Sequence, residues 1–160
     1  MLAILKQGLY CHVAVALDTH PAVIPTAYAV HDGQLYIHGS TANRIFRALK
    51  NGAEACVCVT LLDGLVLARS AFHHSVNYRS VVVYGAAREV TEVAEKLLAF
   101  DALIEHVVPG RSSEVRGASR EEILRTLVLA IPLDEASAKT AERPPRSTTT
   151  KTMRSTSGRA

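Results

Sequence analysis

Residues 22–50, AVIPTAYAVHDGQLYIHGSTANRIFRALK, decide the fold. Residues 22–30 read as a strand interrupted by Pro25, and a proline in a strand favours an edge, a bulge or a position whose N–H faces no partner. Asp32-Gly33 is a tight hairpin signal. Residues 34–38 return as a second strand, with Leu35 and Ile37 on one face and Gln34, Tyr36 and His38 on the other. Gly39-Ser40-Thr41 breaks that strand and can cap a helix. Residues 42–50 then carry helical spacing, with Ile45 and Leu49 on one side and Arg44 and Arg47 near the other.

Outward from this block the strand signals continue. Residues 9–17 (LYCHVAVAL) predict a strand ahead of the bend Asp18–Pro21. Asn51-Gly52 ends the helix, and 54–61 (EACVCVTL) predict a near-continuous apolar strand. Asp63-Gly64 is expected to turn the chain so that 65–70 return it. Residues 79–90 read as a long strand with Gly85 as a bulge or kink. The second half is more helical. Residues 91–106 offer Val93, Leu97, Leu98, Phe100 and Ile104 as an apolar stripe, and Pro109-Gly110 stops them. Ser119 followed by Glu122 resembles a capping box opening a short helix at 120–125, and 126–133 read as a last strand. The expected fold is mainly β with helices (α+β): a small antiparallel barrel with helices at its mouth. Its domain is 1–142. Residues 143–160, RPPRSTTTKTMRSTSGRA, lack the apolar groups for a core and are expected to be a disordered basic tail.

The chain has 160 residues, 48% hydrophobic and 21% charged, an ordinary globular balance. The net charge of +3 is carried by that tail, which holds five basic residues and no acid. Without those five, residues 1–142 hold 13 basic against 15 acidic residues. A mildly acidic body gives no support for a nucleic-acid groove. No apolar run approaches a membrane span, and the N-terminus lacks a secretory pattern. Cys11, Cys56 and Cys58 are odd in number and lie in apolar strand contexts. They are expected to be buried free thiols in a reducing, cytoplasmic compartment, and their spacing suits no metal site.

Three segments could carry chemistry. In 35–49, backbone N–H groups at the helix start, the hydroxyls of Ser40 and Thr41, and Arg44 could bind an anion such as phosphate. The alternative is a capped helix with a solvated arginine. In 70–85, His73, His74, Ser75, Asn77, Tyr78, Arg79 and Ser80 mass at a strand entrance, which suits a cofactor ring that needs hydrogen bonds. The alternative is an exposed loop bonded to water. Adjacent histidines on an extended segment point to opposite faces, which argues against a shared metal. In 23–29, proline, hydroxyl and small residues allow a flat ring against the backbone, with a simple edge strand as the alternative.

The order IPTAYA, LYIHGSTANR, a helix, VCVTLLDGLVLARS, then NYRSVVVYGAAREV resembles the pyridoxamine 5′-phosphate oxidase-like flavin-binding family. It looks most like the branch containing the nitroimidazole-resistance proteins. The resemblance spans roughly residues 8–140. It implies an FMN-binding split β-barrel working as a homodimer, with FMN at the subunit interface and a small nitroaromatic or related molecule as electron acceptor. By position, Gly39, Ser40, Asn43 and Arg44 would hold the FMN phosphate region. Ile24, Pro25, Thr26 and Ala27 would lie along the ring. His38 would stand beside the flavin as the catalytic residue, able to supply a proton. Ser80 would sit near the pyrimidine edge, and Arg79 would point away on strand alternation. A flavin- or haem-binding module without efficient turnover is the rival reading, with His12, His73 or His74 as axial ligand. The chain departs from the family after Lys139, where it turns basic and Thr- and Ser-rich.

Overall fold

The computed structural model describes residues 1–142 and 150–154. Helix α1 (Leu2–Gln7) leads into strands β1 (Tyr10–Ala16), β2 (Pro21–His31) and β3 (Gln34–Ser40). Helix α2 (Arg44–Lys50) follows, then β4 (Glu54–Ala68), β5 (Ser75–Ala86) and the short β6 (Arg88–Glu89). The order ends with α3 (Val93–Val107), α4 (Arg120–Arg125), β7 (Thr126–Pro132), β8 (Glu135–Ala141) and β9 (Thr150–Arg154). The strands form one antiparallel curled sheet in the order β6-β7-β3-β2-β1-β4-β5-β8, with β9 on β4. This is a half-barrel with flanking helices, as expected.

The Asp32-Gly33 turn has positive φ at both residues (45° and 71°), the backbone a two-residue hairpin needs. Inside the curl lie Val13, Leu35, Ile37, Val57, Val59, Val81 and Leu129, all at most 1% exposed. Strand β7 is buried on both faces: Leu127, Leu129 and Ile131 fill the barrel, and Val128 and Ala130 meet α3. The near-continuous apolar run 126–133 reports this two-sided burial.

Several expectations are corrected. Asp63-Gly64 is no turn, because β4 runs straight through it. The pairing of β4 with β5 slips between Leu62 and Gly64, so Asp63 is the extra residue of a bulge. Its carboxylate takes both Nε and a terminal nitrogen of Arg79, at 2.9 and 2.7 Å. A cross-strand partner thus captured a local turn signal. The reversal comes later, over Arg69–His74, and includes a 3₁₀ turn at Ala71–His73. Strand β5 accordingly starts at Ser75 rather than 79. Gly85, at φ 156°, bends its end where β5 passes β7, and the chain then pairs with β7 as β6. On α3 the buried face is Ala99 and Leu103, with Phe100 partly covered. Val93, Leu97 and Leu98 of the expected stripe stay exposed. Small Ala99 lets the helix approach the sheet closely, so shape outranked hydrophobicity in choosing the face. Of the thiols, Cys11 is buried but Cys56 and Cys58 are only half-buried.

Helix α1 and strand β8 have no counterpart in the sequence reading. The helix is too short to stand alone. It is held because the Tyr28 hydroxyl donates to Leu5 O (2.6 Å) and His106 bonds Gly8 O. The expected tail disorder covers 143–160. Residues 143–149 and 155–160 lie outside the described residues, and Thr150–Arg154 runs as β9 along Gly64–Ala68 of β4. Among the described residues no helix is long and apolar enough to cross a membrane.

Gly8 is the tightest glycine position. A Cβ there would stand 2.5 Å from Val59 Cγ1 and 2.7 Å from the Tyr28 hydroxyl. Gly8→Ala is therefore expected to cost about 1–3 kcal/mol in urea unfolding. Gly117→Ala, with open space around it, should stay within about 0.5 kcal/mol. Equal midpoints for the two variants would remove this close approach as a constraint.

Candidate functional site

Strand β3 pairs with β7 over its full length, from Gln34↔Pro132 to Ser40↔Thr126. Strand β2 pairs with β1 just as fully at its own start, from Pro21↔Ala16 to Ala27↔Tyr10. The two pairs share only four rungs, from His31↔Gln34 to Tyr28↔Ile37. Beyond Tyr28 the sheets part. Among the described residues Ile24–Ala27 has ladder partners on β1 and none on β3. One backbone edge of this segment is open, next to the end of β3.

That end carries His38, Gly39 and Ser40. His38 lies on the outer face with Tyr36, and its ring stands edge-on to Phe100 at 6.2 Å and 79°. It keeps open surface, but crowding from the surrounding protein removes enough water to hold its pKa below the ordinary imidazole value. It is thus mainly neutral at neutral pH, which weakens the expected role of a proton supplier. As neutral imidazole it still presents one donor and one acceptor nitrogen. Gly39 is inner, and a Cβ there would press within 3.0 Å of the Phe46 ring. Its first duty is to admit that ring, which is 2% exposed.

The helix start departs from expectation. Asn43 caps α2 with its own side-chain oxygen, which accepts from Ile45 N (2.9 Å) and Phe46 N (3.3 Å). The Ser40 hydroxyl accepts from Ala42 N. Those backbone donors are occupied within the chain, and Asn43 keeps only its amide N–H groups for a ligand. An anion here would depend on side chains. Arg44 is exposed and makes one long contact, 3.4 Å, to the Thr19 hydroxyl. Arg44 and Arg47 border an open recess of about 360 Å³, with Ala16, Leu17 and Asp18 at the end of β1 and Asn51 closing α2.

The structure thus brings Ile24–Ala27, His38, Gly39, Ser40, Asn43 and Arg44 to one edge of the molecule. It does not bring Ser80 there. Ser80 pairs with Thr60 and Lys139 on β5, four strand spacings from β3, about 19 Å along the sheet. Arg79 lies on the face of Val81 and Val83, opposite Ser80, and is held by Asp63. Its pairing keeps the Asp63 carboxyl below its ordinary value. Phe100, Asp18, Arg47 and Asn51 had no part in the expected site. The spacing of Arg44 and Arg47 on α2 was visible, but the wall they face comes from β1. Among the described residues no cluster of three His, Cys, Asp or Glu could hold a metal ion.

Residues 1–140 match the family model for pyridoxamine 5′-phosphate oxidase. The fold is similar to that of the FAD and heme binding protein from Mycobacterium smegmatis (34% identity, 94% of this chain and 78% of that one, TM-score 0.85). It is also similar to the flavocytochrome Anf3 from Azotobacter vinelandii (31% identity, 99% and 78%, TM-score 0.85). A structure named for 5-nitroimidazole antibiotic resistance, from Bacteroides thetaiotaomicron, shares the fold at 20% identity (86% and 80%, TM-score 0.72). A search of curated proteins finds no match.

The lowered pKa of His38 has a consequence for stability. The unfolded chain binds a proton near the ordinary pKa of 6.5 that the folded chain resists. The folded state keeps its full stability above that pH and loses some as pH falls below it. His38→Gln should flatten this loss between about pH 7 and 5 in urea midpoints. Parallel curves for the two proteins would show that burial does not act on this imidazole.

Proposed function

The chain belongs to the pyridoxamine 5′-phosphate oxidase family, and from that membership we propose that it is a flavin-binding oxidoreductase. The observation that carries the reading is the parting of β2 from β3, which leaves a free backbone edge at Ile24–Ala27 beside His38. A flat heteroaromatic ring with polar edges needs such a slot: backbone donors and acceptors on one side and a ring-sized gap. The relatives reported above at 34% and 31% identity are named for flavin or as a flavocytochrome, which supports this cofactor class. The ring, the sugar-alcohol chain and the first phosphate are the part that FMN comprises and FAD shares. These are what the residues at this edge would hold.

Bound flavin would supply the redox step, passing electrons to a small nitroaromatic or related acceptor. The chain's own residues do the rest. The edge of Ile24–Ala27 orients the ring. Arg44 and the Ser40 hydroxyl bind the first phosphate, Arg44 as a charge-assisted donor. His38, at the end of β3 beside the slot, has one donor and one acceptor nitrogen to offer the ring or the electron acceptor. The Phe46 ring packs against Gly39 at the end of β3. Ser80 is too far away to serve the same ring in one copy. A homodimer that lends Ser80 from the second copy would reunite the set, which supports the dimer as part of this proposal. Three free thiols support a reducing, cytoplasmic setting.

A haem is the second reading. It is favoured by the two haem- and cytochrome-named relatives and by the Phe72–His74 turn. Phe72 is 90% exposed there, with its ring 5.5 Å from that of His73. Exposed imidazoles beside an uncovered aromatic suit an axial ligand.

The absorbance spectrum of the purified protein separates the readings. Flavin bands support the first, and a Soret band lost in His73→Ala or His74→Ala supports the second. Arg44→Ala should weaken flavin binding by about 1.5–3 kcal/mol in a fluorescence titration. Unchanged affinity would take Arg44 out of the site. His38→Ala should slow acceptor reduction more than it weakens flavin binding, and equal turnover would leave His38 a structural residue.

A further inference from the structure

We propose that helix α3 is the wall that selects the electron acceptor, with Phe100 meeting its flat ring and the Lys96 ammonium its negative substituent, so that the site favours aromatic anions over their neutral analogues. The inference rests on the flavin reading above and names the acceptor class of that same site.

Helix α3 is fixed to the sheet at both ends. Near its start, Glu95 accepts from the Tyr36 hydroxyl of β3 (3.1 Å) and from both terminal nitrogens of Arg88 of β6 (3.1 and 2.6 Å). Near its end, the His106 ring donates to Gly8 O and lies against the Tyr28 ring of β2, 4.9 Å between centroids. Tyr28 is the last rung before β2 leaves β3. The helix therefore crosses from β6 and β3 to the place where the two sheets part. A wall tied down on both sides holds its side chains at set positions beside the end of β3.

Two of those side chains lie at the level of the site. Phe100 is half-buried and stands edge-on to His38, with 6.2 Å between ring centroids. Aromatic rings attract further flat rings in offset or edge-on contact. Lys96 lies one helical turn earlier, the spacing that makes side chains neighbours on one helix face. Its ammonium donates to Ile123 O (3.3 Å) and Thr126 O (3.0 Å). Thr126 is the rung partner of Ser40, two residues beyond His38 on the same strand. The cation is thus anchored at the end of β3 that carries His38.

The two carbonyls leave that charge uncancelled. They take two of the three N–H groups of the ammonium, but neither carries a net charge. Lys96 forms no ion pair among the described residues. Other cations of this chain also lack a carboxylate. Lys96 differs from them because it is half-buried and tied to two backbone atoms, so its charge has a fixed place. Of the acids beside it on the chain, Glu92 is exposed and Glu95 is committed to Arg88 and Tyr36. The third N–H can give a charge-assisted bond to a carboxylate or similar anion. An aromatic ring and a cation one turn apart match a benzene ring with an anionic substituent.

The test is isothermal titration calorimetry of the full chain, both loaded with FMN and free of flavin. The ligands are 4-nitrobenzoate and its neutral analogue 4-nitrobenzamide. The proteins are the wild type, Lys96→Gln, Lys96→Arg and Phe100→Ala, each checked by circular dichroism. Wild type should bind the benzoate roughly 10-fold more tightly than the amide. Lys96→Gln keeps a donor for the carbonyls without the charge, and should abolish this preference while changing amide affinity less than about twofold. Lys96→Arg should retain the preference, and Phe100→Ala should weaken both ligands by a similar factor. Should Lys96→Gln lose helical signal, the comparison of wild type with Lys96→Arg and Phe100→Ala still decides. Equal affinities for the two ligands in wild type, or a preference that survives Lys96→Gln, would overturn this inference and leave the flavin reading standing. FMN affinity lost in Lys96→Gln with riboflavin affinity unchanged would also overturn it, because the ammonium would then serve the phosphate. A chain that binds no flavin would overturn the flavin reading and the acceptor role together.

Discussion

The organisation of this molecule depends on two antiparallel pairs that are each complete and yet barely joined. Strand β3 keeps all seven rungs with β7, and β1 keeps all seven with the first part of β2. Only four rungs connect the pairs. A sheet that twists right-handedly and curls cannot keep every neighbour in register along its whole length. Here the register ends between β2 and β3, beyond Tyr28↔Ile37. The Phe46 ring sits against Gly39 on the inner side at that point, so the barrel end is filled by an aromatic and not by another strand. The open edge at Ile24–Ala27, the outward placement of His38 and the seating of α2 over the end of β1 all follow from this divergence.

Polar groups are placed with the same economy. Asn43 occupies the first-turn amides of α2, which moves any anion-binding duty from backbone to side chain. Lys96 donates to Ile123 O and Thr126 O at the close of α4, where helical carbonyls end. Glu122 reaches both the Ser119 amide and Arg116, and these bonds lower its pKa to about 2. Arg44 and Arg47 border their recess together with Asp18 and form no ion pair among the described residues.

Ser80 entered the expected site only through the family resemblance, and the structure does not bring it to the edge that carries His38. His38 and Ser80 both stand on outer faces, but the intervening strands β2, β1 and β4 keep them apart in one copy. On α3 the apolar side chains of Val93, Leu97 and Leu98 remain exposed.

Local chemistry by itself determined much of the architecture. The Asp32-Gly33 hairpin, the alternation of Leu35 and Ile37 against Tyr36 and His38, the Ser119–Glu122 capping box and the doubly buried 126–132 strand each depend on residues a few positions apart. Such signals can be read without knowing the fold. The grouping of Ile24–Ala27 with His38, Ser40, Asn43 and Arg44 came from the family resemblance and not from a local pattern, since the hairpin rungs stop at Tyr28↔Ile37. Tertiary structure decided the rest. Asp63-Gly64 became a bulge because Arg79, 16 residues on, captured the carboxylate. Helix α1 exists because Tyr28 and His106 hold its end, and α3 buries Ala99 in place of Leu97 because the sheet selects for close approach. The recess has one wall from β1 and one from α2, which no local pattern joins. In each case the deciding partner is remote in the chain, and only folding brings it within the few ångströms over which contacts act.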